Sequence, residues 1–533
     1  MRARVRPAAG TRGGSLWSLL LALSGLACAV PGGCSREERP AAPATRPNLL
    51  LVVVDTLRAD ALGDVARAPH LDRLAVESAV FRNALALVPA TGPSHASLFT
   101  GQTPWRHGVR LNSQKLPQEA TTLAERLRDE GYETAAVVSL GVLRSQYGFA
   151  QGFEFYDEQF PQQWFRLGEE ITDHAVAWLR DHTGAPFFLF VHYSDPHEPY
   201  GRPDLPYPEF RVLLDGTEVA HGRTDGLRRA VELDLPPGAH DLELVPVRPS
   251  ERRLLFRGIK DRPPVRIEFG DGWQQPAAKD EGIYSATLPA AFRIINESAE
   301  TTRSELPIFA KEALSISEAA DRYRGEVNYV DAQVGRLLAA VESKGISGQT
   351  LVVFTSDHGE ALGEHGHLGH INQLYQPLVH VPLMFRLPTA VRPGVRAVYV
   401  SHLDVVPTIL PLLGLTAPIS LPGRDLFGAA AKSERPVVAA TFPPLARQNL
   451  RSLTLDGFRL IRHGDSGANE LFHLAEDPGE LRDLSAVEDD RTRRYLSILE
   501  RFLAQAEESA SPLETPKLTE EEHEHLRALG YLQ

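Results

Sequence analysis

Cysteine is nearly absent from this 533-residue chain: Cys28 and Cys34 are the only two, and both fall in or just after an apolar N-terminal stretch. Once that stretch is removed, no disulfide framework can staple the mature protein. Positive charge is also short. Lys and Arg number 56 against 69 Asp and Glu, a net charge of −13, which argues against a nucleic-acid-binding surface. It does not exclude an anionic substrate, because a bound cation reverses the local field. A full-length membrane span is missing at the N-terminus: the apolar run Ser15–Val30 is short for one.

What that N-terminus does contain is an export pattern. Arg2, Arg4, Arg6 and Arg12 precede the apolar run, as in a secretory signal. Leu26-Ala27-Cys28 and Gly32-Gly33-Cys34 each resemble a lipoprotein cleavage box. Residues 1–34 are therefore expected to be an export segment and 35–46 a flexible linker, with the protein in the periplasm or at the outer cell surface, lipid-anchored if either cysteine is acylated.

Beyond residue 46, apolar runs end in acidic or histidine-bearing turns. NLLLVVVD stops at Asp55, PFFLFVHYSDPH at Asp195 and His197, and TLVVFTSDH at Asp357 and His358; TGPSHASLFTG, from Thr91, reads as a turn and helix start. Such runs predict strands of a parallel sheet buried on both faces, with ligands beyond the strand carboxyl ends. Between about 208 and 304 the pattern changes to short strands separated by Gly, Pro and Asp turns, which predicts an inserted β-sandwich. ADRYRGEVNYVDAQVGRLLAAVESKG then predicts a long amphipathic helix, and DGFRLIRHG and ELFHLAED read as edge strands of a smaller C-terminal region.

The stretches RPNLLLVVVDTLRADALG, GPSHASLFTGQTPWRHGV, FVHYSDPHEPY, LVVFTSDHGEALGEHGHLGH and ELFHLAEDPGELRDLS, with the ending LRALGYL, resemble the sulfatase branch of the alkaline phosphatase superfamily. The resemblance implies an α/β fold: a mostly parallel sheet flanked by helices, formed by residues 47–207 and 305–533, with the β-sandwich of 208–304 inserted and a small C-terminal α+β region. Departures stand beside the matches. Sulfatases proper convert a Cys or Ser to formylglycine in a C-x-P-S-R pattern; here Thr91-Gly92-Pro93-Ser94-His95 occupies it. Their Asp-Asn pair is Asp357-His358 here, and VVSLGVLRSQYGF has no lysine or histidine where they have Lys-x-His. These changes point to a Thr nucleophile and away from formylglycine chemistry.

Two carboxylates and an imidazole, Asp55, Asp357 and His358, suit a divalent cation, with Zn²⁺ or Mn²⁺ favoured and Ca²⁺ the remaining candidate. Thr91 would complete the set through its hydroxyl, which then ionises more easily; a helix N-cap is its alternative role. Ser94 onwards reads as a short helix after Pro93, and its backbone N–H groups would face the ester oxygens. His197 and His370 match family positions that hold anionic oxygens or donate a proton to the leaving group, and His95 stands in the place of the Arg with an orienting role. Asp195-Pro196-His197 has the wrong spacing for the family's second metal, so one ion is expected. His107, His192, His380 and His402 read as structural, His365 and His367 as exposed loop histidines, and Asp331 and Asp404 as capping or solvated groups. The expected function is hydrolysis of phosphate or sulfate esters, phosphate preferred, on a small-molecule, glycan or lipid substrate. A sulfatase proper, a phosphoryl transferase and a surface binding protein are the alternatives.

Overall fold

The computed structural model describes residues 46–517 and 519, except 64–67, 161–164, 183, 185, 199, 201–208, 224, 248–252, 258–263, 271–282, 313, 430, 432 and 445. The expected export segment, the linker before Arg46 and the LRALGYL ending lie outside the described residues.

Nine strands form the central sheet: β1 (Asn48–Val54), β2 (Ala79–Leu85), β3 (Glu133–Val137), β4 (Phe155–Asp157), β5 (Phe187–Tyr193), β6 (Thr350–Thr355), β7 (His380–Val381), β8 (Leu383–Arg386) and β9 (Gly394–Ser401). Their order is β7-β2-β8-β6-β1-β5-β3-β4, with β9 also on β2. From β6 to β4 every pairing is parallel. β8 joins β6 and β2 antiparallel, and β7 joins β2 likewise, so the sheet is mixed at one side. Both faces of β1 are covered. Leu49, Leu51 and Val53 enter one hydrophobic layer, and Leu50, Val52 and Val54 the other; a strand alternates its side chains in this way, which is why its sequence is uniformly apolar.

Three helices matter for the site: α1 (Thr91–Thr100), α2 (Gly168–Asp181) and α3 (Ile316–Ser343). α3 opens on a capping box in which Ser315 and Glu318 satisfy each other's backbone N–H. It lays Tyr323, Val327, Val330, Val334, Leu337 and Val341 on the second layer, the spacing of a single helical face.

The expected sandwich region contains two antiparallel sheets. One, of five strands, includes Glu209–Leu214, Gly238–Pro246 and Ala290–Asn296; the other, of four, includes Asp225–Leu235 and Thr302–Glu312. Phe210, Leu233, Leu235, Leu242, Leu244 and Phe292 form their common core. The end expected at 304 is too early: Thr302–Glu312 pairs with Asp225–Leu235 along its length, so the last strand belongs to the insertion. Chain entry and exit lie together. Tyr200 is buried and Leu314 partly buried in the layer of α3, and Arg322 donates to the Tyr200 carbonyl at 3.0 Å.

The C-terminal region has its own four-stranded antiparallel sheet, Val437–Ala440, Leu450–Leu455, Phe458–His463 and Asn469–His473. The DGFRLIRHG segment is thus not an edge strand: Phe458–His463 has neighbours on both sides. Arg459 and Glu480, both fully buried, pair at 3.0 Å and tie this sheet to the DPGE segment.

Candidate metal centre

Parallel register creates the site. Val53 of β1 lies opposite Thr355 of β6, so both chains leave the sheet at the same edge and bring Asp55 beside Asp357. On the other flank β5 runs parallel to β1 and carries His192 and then His197 to that edge.

Each of three side chains has one polar atom tied down and one left over. Asp357 Oδ1 accepts from the N–H groups of His358 (2.8 Å) and Thr56 (3.2 Å). Asp55 Oδ2 accepts from the Thr91 hydroxyl at 3.2 Å. His358 donates from Nδ1 to the Gly359 carbonyl at 2.9 Å, which leaves Nε2 with its lone pair. Among the described residues, Asp55 Oδ1, Asp357 Oδ2 and His358 Nε2 are buried and have no hydrogen-bond partner. His358 Nε2 lies 3.5 Å from Asp357 Oδ2 and 3.8 Å from Asp55 Oδ1, and the three ligand atoms fall within 4.8 Å of one another. Buried polar atoms are rarely left unpaired; a shared cation would satisfy all three.

Charge argues the same way. Burial, then the charge of Asp55, pushes Asp357 well above the carboxylate range. Burial would raise Asp55 too, but His192, His197 and His358 outweigh it and hold the group low. Burial, followed by His370, lowers His358 to about 3, so its imidazole is neutral and free to act as a ligand. Two adjacent carboxylates resist joint ionisation unless a cation lies between them.

Thr91 begins α1 as its first helical residue; Ala90 is the N-cap, with no side-chain capping bond. The capping role is therefore not what its hydroxyl does here, since it is fully buried and directed to Asp55. The helix begins three residues before the expected Ser94, and the Ser94 N–H is engaged by the Ala90 carbonyl (3.1 Å), while Gly92 N–H donates to Asn112 Oδ1 (2.7 Å).

The histidines form a continuous group. His95 Nδ1 donates to the Thr91 carbonyl at 2.8 Å and lies 3.6 Å from Asp357 Oδ2. The ring of His370 is 4.7 Å from that of His358 and 4.9 Å from that of His197. Its Nδ1 is 3.2 Å from buried Glu360. Burial would lower His370, but the Glu360 charge and hydrogen bond raise it. Asp195 turns away and accepts from Gly168 N–H at the start of α2, at 2.9 Å.

His192, expected to be structural, also stands at the edge of the candidate site. Its Nδ1 meets Ser139 Oγ at 2.9 Å and its Nε2 stands 3.6 Å from Asp55 Oδ2. A lone histidine inside a fully buried apolar strand was the available signal. His107, His380 and His402 do hold structure, through Ser97, the Arg82 carbonyl and the Ser356 carbonyl respectively. His365 and His367 are half-buried rather than exposed, with His365 stacked 3.6 Å from Tyr375. Asp331 caps a neighbouring helix by accepting from Leu71 N–H, and Asp404 accepts from the N–H groups of Ser401 and Arg424.

A family model described as Sulfatase matches residues 47–415. The chain is 27% identical over 447 residues to an N-acetylglucosamine-6-O-sulfatase of Bacteroides thetaiotaomicron, covering 77% of this chain and 74% of that protein. It is 26% identical over 462 residues to the multifunctional alkaline phosphatase superfamily protein PehA of Trinickia caryophylli, covering 73% and 78% respectively. Among solved structures, the phosphonate monoester hydrolase of Silicibacter pomeroyi superimposes with a TM-score of 0.57 at 20% identity, over 86% of this chain and 95% of that one. A structure in complex with its substrate D-glucosamine-2-N,6-O-disulfate does so with a TM-score of 0.59 at 18% identity, over 87% and 99%.

Proposed function

We propose, from the premise that this chain belongs to the sulfatase family, that it is a metal-dependent hydrolase of anionic esters with Thr91 as nucleophile. The single observation that carries the nucleophile is the Thr91 hydroxyl, buried and 3.2 Å from Asp55 Oδ2, beside three ligand atoms that lack partners.

Asp55, Asp357 and His358 would hold the ion. When bound, a divalent cation there supplies positive charge that favours the ionised hydroxyl and offsets charge growing on the ester oxygens. The chain's own groups do the rest. The Thr91 hydroxyl gives up its proton to water entering the site, and Oγ1 attacks the central sulfur or phosphorus. As the bond to the leaving oxygen breaks, its electron pair goes to that oxygen, which takes a proton from His370 or His197. Water then attacks the same central atom and frees Thr91. His95, bonded to the Thr91 carbonyl, orients the nucleophile's turn.

Both ester classes have support: the named relatives include sulfatases, and the fold neighbours include a phosphonate monoester hydrolase. A threonine nucleophile favours the phosphoryl ester. Formylglycine releases sulfate by breaking a C–O bond, and threonine has no such route, whereas a phosphothreonine is open to water at phosphorus. Aryl sulfate, phosphate and phosphonate esters with one leaving group, assayed with Mn²⁺ present, test this. A higher specificity constant for the sulfate would reverse the preference. The N-terminal pattern and the glycan-acting relative support a glycan ester outside the cytoplasm as the natural target; cell fractionation tests the location.

A further inference from the structure

The turn after β1 holds an unusual conformation. Thr56 has a φ of 59°, which a β-branched residue adopts rarely and only when its surroundings impose it. Here the surroundings can be named. The Thr56 carbonyl accepts from the Tyr323 hydroxyl at 2.9 Å. The same hydroxyl oxygen accepts from Arg58 N–H at 2.9 Å. One phenol therefore spans the turn from the Thr56 carbonyl to the Arg58 N–H. Thr56 Oγ1 donates to the Asp55 carbonyl at 2.7 Å, and Thr56 N–H donates to Asp357 Oδ1 at 3.2 Å. Together with the His358 N–H, which donates to the same oxygen at 2.8 Å, that last bond turns the Asp357 carboxylate so that Oδ2 is the oxygen without a partner.

We infer that Tyr323 is a positioning residue for the metal centre: from α3 it fixes the left-handed turn at Thr56, and through Thr56 N–H it aims Asp357 Oδ2 at the ion. Partners behind a metal ligand set its orientation, and losing one weakens metal affinity by about 10–100-fold. Tyr323 is fully buried, and its ring packs edge-on against Tyr200 at 6.1 Å. Removing the hydroxyl alone therefore keeps the packing while releasing the turn.

The inference rests on the reading that Asp55, Asp357 and His358 hold a divalent cation, and the test separates the two. Mn²⁺ binding is measured by titration calorimetry on the metal-free full chain and on Tyr323→Phe, together with thermal melts of both in EDTA. The expected result is Mn²⁺ affinity lower by about 10–100-fold in the variant, with the metal-free melting temperature little changed. Equal Mn²⁺ affinity would overturn the inference. So would a lower affinity that comes with an equally large loss of metal-free stability, which would make Tyr323 a packing residue. Failure of the unmodified chain to bind Mn²⁺ would instead remove the metal reading itself.

Discussion

Thr91 is placed by two constraints that do not depend on each other. The helix start fixes its backbone, and Asp55 fixes its hydroxyl. Thr91→Ala should remove the hydroxyl and one buried methyl without disturbing the helix start, because the cap belongs to Ala90. Turnover is expected to fall by on the order of 10³-fold or more, with Mn²⁺ binding retained by the three remaining ligands. Steady-state rates on the preferred aryl ester check this; retention of a tenth of the activity would rule out a covalent threonine. His358→Ala should have the opposite profile. It deletes the only imidazole of the ligand set, so Mn²⁺ affinity should drop by more than the roughly 100-fold typical of an outer-shell change. Calorimetry gives the number directly. The candidate ligands Asp55, Asp357 and His358 were legible in the sequence because they follow long apolar runs. His192, Glu360 and Tyr323 were not, because their relevance depends on which element lies alongside. Glu360 meets His370 only because the short hairpin pairing Ala361 with Gly369 folds one back on the other, and nothing in the residues between them announces that pairing.

At the scale of elements, the strands were readable and their neighbours were not. Continuous apolar runs mark β1, β5 and β6, but only the register that sets Val53 against Thr355 puts their ends together. The insertion shows the same limit. Its strands were visible, yet TRSELPIFAKE carries a proline and mixed polarity, so its pairing with Asp225–Leu235 was hidden. The corrected boundary decides where a clean deletion ends. Replacing residues 209–312 by a short Gly/Ser linker removes whole strands, whereas stopping at 303 would leave most of one unpaired and prone to associate. The 209–312 replacement should remain soluble and bind Mn²⁺ like the full chain, since the sandwich buries its own core. An insoluble product, judged by size-exclusion chromatography, would show that the insertion shares the main core.

Across the whole molecule, buried neutral histidines make acid the weak side. Burial lowers His107 to about 3, despite a backbone bond that opposes this, and lowers His402 to about 4. In the unfolded chain both titrate near about 6.5. As pH falls below that value the unfolded state takes up protons first, so stability present above it is lost towards the folded values. Each such group contributes a slope of roughly 1.4 kcal/mol per pH unit. Asp195, raised to about 6 by burial, and Asp357, raised well above the carboxylate range, work in the other direction, whereas burial lowers His95, His358, His367 and His380 as it does His107 and His402. Melting temperatures in EDTA should therefore fall between about pH 6.5 and pH 4.5, and His402→Asn should flatten the fall. A melting temperature that does not move across this range would contradict the linkage.

The meeting of Tyr200 with Arg322 and Tyr323 has a further consequence for how this chain tolerates change. For the core, everything between Tyr200 and Leu314 is a single closed loop whose neck is already fastened. Closing a longer loop adds little entropic cost, so the size and content of what hangs from the neck are nearly free to vary. The neck itself is not free, because its ring rests on the residue that braces the Thr56 turn. A passenger exchanged at this point should leave the hydrolase undisturbed if it folds on its own and the tyrosine at its entrance is kept; one that pulled on that tyrosine would be felt at the candidate metal centre.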